Sequence, residues 1–274
     1  MNSHGKTLPP TLFVGAGRMA SAIVRGILDS GRAGPEKLYC TCGNDLTGQH
    51  LAEATGIHFA EDPGSILSTV DLFLLACKPQ QLKDLPASLF TGTSGKLVVS
   101  ILAGIPINRL SALSPLARNV VRVMPNTPAQ IGKGISVYAS RDPLSEEDQS
   151  IVESLLSSMG SVVSLPEDLM DAVTALSGSG PAYLFEFTRI LTEAGKDIGL
   201  SNEVSSELAR QTIIGSAALM ESRSDATPSE LVDEVTSPGG TTEAALQSFG
   251  NNFERVVVEA LRAARDRSRE LSSL

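Results

Sequence analysis

The segment Gly15-Ala16-Gly17-Arg18-Met19-Ala20 directly follows the apolar run Thr11-Leu12-Phe13-Val14 and opens into the helical stretch Ser21 to Leu28. Glycines at this spacing suit one task. Gly15 permits a tight turn, Gly17 lets backbone come close to a ligand, and the helix start that follows turns its free N–H groups toward phosphate charge. The pattern reads as a dinucleotide pyrophosphate site with Ala20 in place of a third glycine; a plain strand-to-helix turn is the alternative. Arg18 is either an added charge at that site or a solvated surface cation. A second glycine-rich stretch, Ser237-Pro238-Gly239-Gly240-Thr241-Thr242, also stands where a helix begins. Exposed backbone N–H groups and hydroxyls there suit a carboxylate. An N-cap and turn without a ligand is the alternative.

A redox enzyme acting on an alcohol must move a hydroxyl proton and needs a general base such as His or Lys near the hydride. His4, His50 and His58 all lie in the N-terminal part, and Lys196 is the only lysine after Lys133. The sequence therefore argues against alcohol chemistry.

Cofactor choice in a dinucleotide fold is read after the second strand, where an acid binds the ribose 2′-hydroxyl and repels a 2′-phosphate. Here that strand ends Cys40-Thr41-Cys42-Gly43-Asn44, with no acid until Asp45. This favours NADP(H). No arginine stands there to clasp the phosphate, so NAD(H) stays open as a second cofactor.

The elements that must position these residues follow from the apolar pattern. Short apolar runs at Thr11 to Val14, Lys37 to Thr41, Leu72 to Ala76, Lys96 to Ile101, Val120 to Met124, Ile135 to Ala139 and Ser161 to Leu165 alternate with helical stretches. That alternation predicts an α/β, mostly parallel, doubly wound sheet of the Rossmann type. From Asp168 onward only helices are expected, broken by Gly and Pro at Gly178 to Pro181, Gly195, Gly199, Pro228 and Pro238 to Gly240. We expect an NAD(P)-binding domain over 1–166 and an all-helical domain over 167–274. Val204, Leu208, Gly215 and Leu219 form one stripe of a helix entered through Ser201 or Asn202. Apolar faces of this kind either meet another copy of the chain, making a homodimer or larger homo-oligomer, or form ordinary core.

A formal charge of −9 leaves no basic face for nucleic acid or anionic lipid. No apolar run approaches the roughly 20 residues that span a bilayer, and Met1 to Pro10 lacks a signal-peptide core. The expectation is a cytoplasmic protein acting on a small molecule. Cys40, Cys42 and Cys77 fit neither a disulfide framework nor a zinc pattern, so reduced thiols and no metal are expected.

Three further stretches are more specific than the glycine turn: Arg122-Val123-Met124-Pro125-Asn126-Thr127-Pro128, Leu176-Ser177-Gly178-Ser179-Gly180-Pro181-Ala182-Tyr183, and Thr236 to Thr242. With Ala76-Cys77-Lys78-Pro79 and Ser100 to Ile105 they resemble, in order and from Phe13 to about Leu246, the pyrroline-5-carboxylate reductase family. The resemblance implies NAD(P)H-dependent reduction of a cyclic imino acid, L-1-pyrroline-5-carboxylate, to L-proline, the last step of proline biosynthesis. It also implies a nucleotide pocket lined by Val14, Gly15, Ala16, Gly17, Arg18, Met19, Cys42, Asn44, Ala76, Cys77, Lys78, Pro79, Ile101, Leu102 and Ala103. Lys78 is read as a cofactor neighbour rather than a catalytic base. On the substrate side it implies Ser237, Gly239, Gly240, Thr241 and Thr242, with Glu167 and Asp225 as further acidic positions. Thr242 is the expected catalytic group, its hydroxyl hydrogen-bonding the ring nitrogen. The chain departs from the family's usual residues at Arg18, Cys77, Leu102, Asp62 and Glu234.

A cyclic imine fits the missing base, because it arrives partly protonated and hydride addition to its carbon asks the protein mainly for binding and orientation. The β-hydroxyacid dehydrogenases, of similar architecture, carry a catalytic lysine four residues after a G-x-G, and this chain has Leu184 there. Ser177 to Pro181 is expected to interrupt a helix, at a helix corner or a close ligand approach. Two other functions stay open: reduction of a six-membered cyclic imine, and a non-catalytic dinucleotide-binding regulator.

Overall fold

The computed structural model describes residues 7–43 and 45–272. Its first strand, β1 (Thr11–Val14), is buried at every position, as is expected of a parallel strand covered on both faces. The other strands are β2 (Leu38–Thr41), β3 (His58–Phe59), β4 (Leu72–Leu75), β5 (Leu97–Ser100), β6 (Asn119–Met124), β7 (Gly134–Ser140) and β8 (Gly160–Ser164). They form one eight-stranded sheet in the order β3-β2-β1-β4-β5-β6-β7-β8. All neighbours run parallel except β6 and β7. The order reverses direction at β1, between β2 and β4, and ligands of such sheets bind at the carboxyl end of that switch point. The Rossmann-type expectation holds. The sequence reading had not included β3, a two-residue edge strand, or the reversal at β7.

Helices cover both faces of the sheet. In α1 (Arg18–Asp29), Ala20, Ile23, Val24 and Ile27 are buried, the spacing of a single apolar stripe. The remaining helices of this region are α2 (Thr47–Thr55), α3 (Ala87–Thr91), α4 (Ile107–Leu113), α5 (Glu146–Ser157) and α6 (Met170–Val173). One core cluster joins Phe13, Leu38, Leu72, Leu97 and Val121 to the α1 stripe and to Val152, Leu155 and Leu156 of α5. A second holds Leu12, Phe73, Val98 and Leu102. Fully burying each such side chain is worth about 1.5–3 kcal/mol. Arg118, just before β6, ties the start of β4 to α5, its guanidinium reaching Asp71 at 2.9 Å and Asp148 at 2.9 Å.

The chain divides into two compact units, one of residues 1–179 with 264–274 and the other of residues 180–263. At the end of the first, Thr174–Gly178 forms a wide π-type turn between α6 and the following helix. Gly178 stands so close to Met124 that a Cβ there would strike the Met124 side chain. The interruption expected at Ser177 to Pro181 is thus a π-turn with Gly178 against β6, and α7 (Gly180–Asp197) begins immediately after. Such turns cost helix regularity and cluster at functional positions.

The second unit is all-helical, as expected. It contains α7, α8 (Asn202–Ser222), α9 (Pro228–Glu234) and the start of α10 (Thr241–Ser272). Ser201 caps α8 by accepting from the Val204 N–H at 3.3 Å. The α7 and α8 backbones approach closely where Gly195 faces Ser205, whose hydroxyl donates to the Thr192 carbonyl at 2.5 Å. α9 starts with a reciprocal cap between Thr227 and Glu230. α10 bends at Gly250, where Phe249 and Phe253 stack 5.3 Å apart. Much of this unit's apolar surface is uncovered within the chain: Leu184 is 55% exposed, Phe185 70% and Leu208 52%. No helix among the described residues is long and apolar enough to cross a membrane.

Candidate active site

The turn after β1 is shaped by Gly15. Its φ of 109° is one that residues with a Cβ rarely adopt, and an added Cβ would lie 2.5 Å from the Cys77 amide nitrogen. The Gly15 N–H donates to the Thr41 carbonyl at 2.8 Å, and the Ala76 N–H donates to the Val14 carbonyl at 2.8 Å. The turn therefore lies wedged between the ends of β2 and β4. Gly17 differs: it N-caps α1 with φ −70°, and a Cβ there would meet nothing within 4 Å. α1 has no side-chain cap and no acid in its first turn, so its leading N–H groups face an open cleft with their partial positive charge uncompensated.

That cleft, about 630 Å³, is lined by Val14 to Gly17, Thr41 to Gly43, Asp45, Thr47, Glu61, Pro63, Ala76 to Lys78, Gln81 and Asp84 to Pro86, with Leu89. It brings together Val14, Gly15, Ala16, Gly17, Cys42, Ala76, Cys77 and Lys78 of the residues expected at a nucleotide pocket. The other described residues of that set do not line the cleft. Arg18 is exposed on α1, Met19 is half-buried against the core, and Pro79 starts a 3₁₀ turn over Pro79–Asp84. After β5, the Leu102 side chain is buried in the second core cluster, Ile101 packs on the first, and Ala103 is exposed. Asn44 lies outside the described residues. Burial pushes the Cys77 thiol up from its ordinary pKa and Cys40 up to about 11, so both stay neutral and neither is a nucleophile at ordinary pH. Asp62 caps the 3₁₀ turn at Pro63–Ile66 by accepting from the Gly64 N–H at 3.0 Å.

Sequence reasoning had named neither Asp45 nor Thr47 as lining. The Asp45 carboxylate accepts from the Thr47 N–H at 2.9 Å through Oδ1, which the Thr47 hydroxyl also reaches. These bonds favour its ionised form and hold its pKa below the usual carboxylate range.

Glu167 is committed elsewhere in the first unit. Its Oε1 accepts from the Ile107 N–H at 2.7 Å, at the start of α4, and from Arg122 Nη1 at 3.2 Å. The Arg122 side chain is buried. Glu167→Ala leaves that guanidinium without its carboxylate, and a loss of about 2 kcal/mol in urea unfolding is expected. Unchanged stability with a raised KM would make Glu167 a substrate ligand instead.

In the second unit, Ser237 to Gly240 forms a tight turn leading into α10. The Gly240 N–H donates to the Ser237 carbonyl at 2.9 Å, and Gly239 has φ 71°. The Gly239 N–H is already taken by Glu243 Oε2 at 2.7 Å. The donors left for an anion are the first-turn N–H groups of α10 and the hydroxyls of Thr241 and Thr242, which find no partner among the described residues. Asp225 lies on the exposed connection between α8 and α9, its Oδ1 3.9 Å from Arg223 Nε. Glu234 holds Arg223 from the end of α9, at 2.9 Å.

Residues 167–271 match the family model for pyrroline-5-carboxylate reductase dimerisation. Residues 11–104 match a model described as NADP oxidoreductase, coenzyme F420-dependent. The chain is 38% identical over 262 residues to a pyrroline-5-carboxylate reductase of Arabidopsis thaliana, covering 95% of this chain and 94% of that one. A pyrroline-5-carboxylate reductase structure from Coxiella burnetii aligns with a TM-score of 0.90 at 31% identity, over 97% of this chain and 99% of the other. A pyrroline carboxylate reductase structure from Plasmodium falciparum, with NADP bound, aligns with a TM-score of 0.82 at 31% identity, over 98% and 100%. On identity of this extent along nearly the whole length, the chain belongs to the pyrroline-5-carboxylate reductase family.

Proposed function

We propose that this chain reduces L-1-pyrroline-5-carboxylate to L-proline with NADPH, NADH being a second donor, as the closing step of proline biosynthesis in the cytoplasm. The carrying observation is the uncapped start of α1 opening, past Gly15 and Gly17, on a cleft sized for a dinucleotide. The reduced nicotinamide supplies the hydride. Gly15 to Gly17 and the α1 N–H groups hold the pyrophosphate; Ala76 to Lys78 form the opposite wall.

The substrate carboxylate is assigned to the turn at Ser237 to Thr242, where first-turn N–H groups and hydroxyls supply donors beside the Gly239 N–H that Glu243 holds. Thr242 Oγ1 is assigned to the ring nitrogen, steadying its N–H while the neighbouring carbon accepts hydride. Asp225 is assigned a supporting place on the substrate side, and Glu167 is assigned to holding Arg122 and the start of α4. A second copy of the chain is assigned to the exposed apolar faces of α7, α8 and α10; the dimerisation model matched over 167–271 supports this, and supports a domain boundary at 166/167.

The test follows the loss of NADPH absorbance with purified protein and the five-membered imine, then with NADH and with the six-membered analogue. Rapid oxidation with the five-membered ring, and slow oxidation with the six-membered one, is expected. No oxidation of either, with the dinucleotide demonstrably bound, would overturn the reductase reading in favour of a binding-only regulator.

A further inference from the structure

The cleft is lined by residues at the ends of β1, β2 and β4 and in the chain that follows them. A dinucleotide lies across the switch point with its adenosine on the β2 side, which carries its nicotinamide past β4 toward the end of β5. The chain leaves β5 at Ser100 and turns at Ala103 and Gly104, with Ala103 exposed. Contacts from far along the chain hold this turn. Gly104, at φ 74°, packs against the last turn of α10: a Cβ there would lie 3.7 Å from the Leu271 Cβ and 3.8 Å from the Leu271 carbonyl carbon. Just past the turn, the Ile107 N–H is held by Glu167 at 2.7 Å.

The end of α10 is itself fixed by a buried bond. Ser268 is the buried residue of that helix, only 6% exposed, and its hydroxyl donates to Asp171 Oδ1 at 2.7 Å. Burying a hydroxyl costs free energy unless a partner replaces its water, and here the carboxylate does. Asp171 lies on α6, four residues after Glu167, so one short segment grips both the start of α4 and the last turns of α10. Residues 264–274 belong to the same compact unit as the sheet.

We propose that the C-terminal end of α10 is a clasp for the nicotinamide end of the site: Ser268 on Asp171 seats the helix, and Leu271 on Gly104 sets the turn after β5 that the nicotinamide meets. These are positioning residues, acting through the turn. The inference rests on the dinucleotide reading of the cleft given under the proposed function, and assigns the wall at its reacting end.

The test is calorimetric titration of the full-length protein, with no imine present, by NADPH and by 2′-phospho-ADP-ribose, which keeps the adenosine and pyrophosphate but lacks the nicotinamide. Ser268→Ala and Leu271→Ala, singly and together, are expected to weaken NADPH binding, about fivefold in the double variant, while the fragment stays within about twofold of its parent affinity. Asp171→Asn keeps an acceptor for Ser268 and should keep most of the NADPH affinity. Parallel loss of both ligands marks general loosening of the fold and overturns the proposal, as does NADPH affinity unmoved in the double variant; either result leaves the dinucleotide reading in place. Failure of the unaltered protein to bind both ligands overturns the two together.

Discussion

Gly15→Ala is expected to abolish dinucleotide binding and to cost the protein about 3 kcal/mol or more of stability, since two penalties combine at that position. The first is conformational. A φ of 109° lies in territory that costs an L-residue roughly 1–2 kcal/mol. The second is steric and harder to relieve. The new Cβ would sit 2.5 Å from the Cys77 nitrogen and 2.6 Å from the Ala76 carbonyl carbon and oxygen. All three are backbone atoms tied to β4, which is buried at every position, so no side chain can rotate out of the way. Relief must come by prying β1 from β4, against the Ala76 to Val14 hydrogen bond. Thermal unfolding should show a midpoint lowered by on the order of 5–10 °C.

Gly17→Ala separates the two roles of the turn. With φ −70° and no atom within 4 Å of the added Cβ, the variant should fold as stably as the parent. Its methyl group would occupy the space a pyrophosphate needs, so dinucleotide affinity should fall about tenfold with the unfolding midpoint unchanged. Equal stability of the two variants would show that Gly15 is not the strained member of the pair.

The sheet was legible wherever strands are buried on both faces. Thr11 to Val14, Leu72 to Leu75 and Leu97 to Ser100 are short apolar runs with no exposed position, and nothing competes with that signal. β3 left no such mark: His58 is exposed, Phe59 is half-buried, and two residues cannot display a period. The reversal of β7 was equally silent, because an apolar run does not state which way it is read by its neighbour. The glycine turn was legible for a different reason, since only glycine tolerates what Gly15 does.

The rest of the candidate site depends on contacts remote in sequence or on loop geometry. Glu167 lies 45 residues from Arg122, and nothing local in either position announces the pair. Asp45 looked too far past the strand to matter; the fold returns it to the cleft wall, where Thr47 fixes it. The stripe Val204, Leu208 and Leu219 was legible as apolar but not as to what it meets. In the single chain these residues are exposed by 47%, 52% and 50%, apolar surface of the kind that contact with a second copy covers.

Thr242→Ala is expected to lower kcat about a hundredfold, while dinucleotide affinity stays within about twofold of the parent. Thr242 is half-buried in the first turn of α10, where alanine is a better helix former than threonine, so stability should not fall. What disappears is one hydroxyl that has no partner among the described residues of the chain and is free to serve a substrate. The neighbouring donor at Gly239 cannot replace it, because Glu243 already occupies that N–H at 2.7 Å. Carboxylate binding by the remaining N–H groups should persist, so the loss should appear in kcat more than in KM. That division marks an interaction made chiefly in the transition state. Thr242→Ser keeps the hydroxyl and should restore most of the rate, whereas Thr242→Val keeps the shape and should not. Full activity in the alanine variant would remove Thr242 from the chemistry and leave the turn at Ser237 to Gly240 as a carboxylate holder alone.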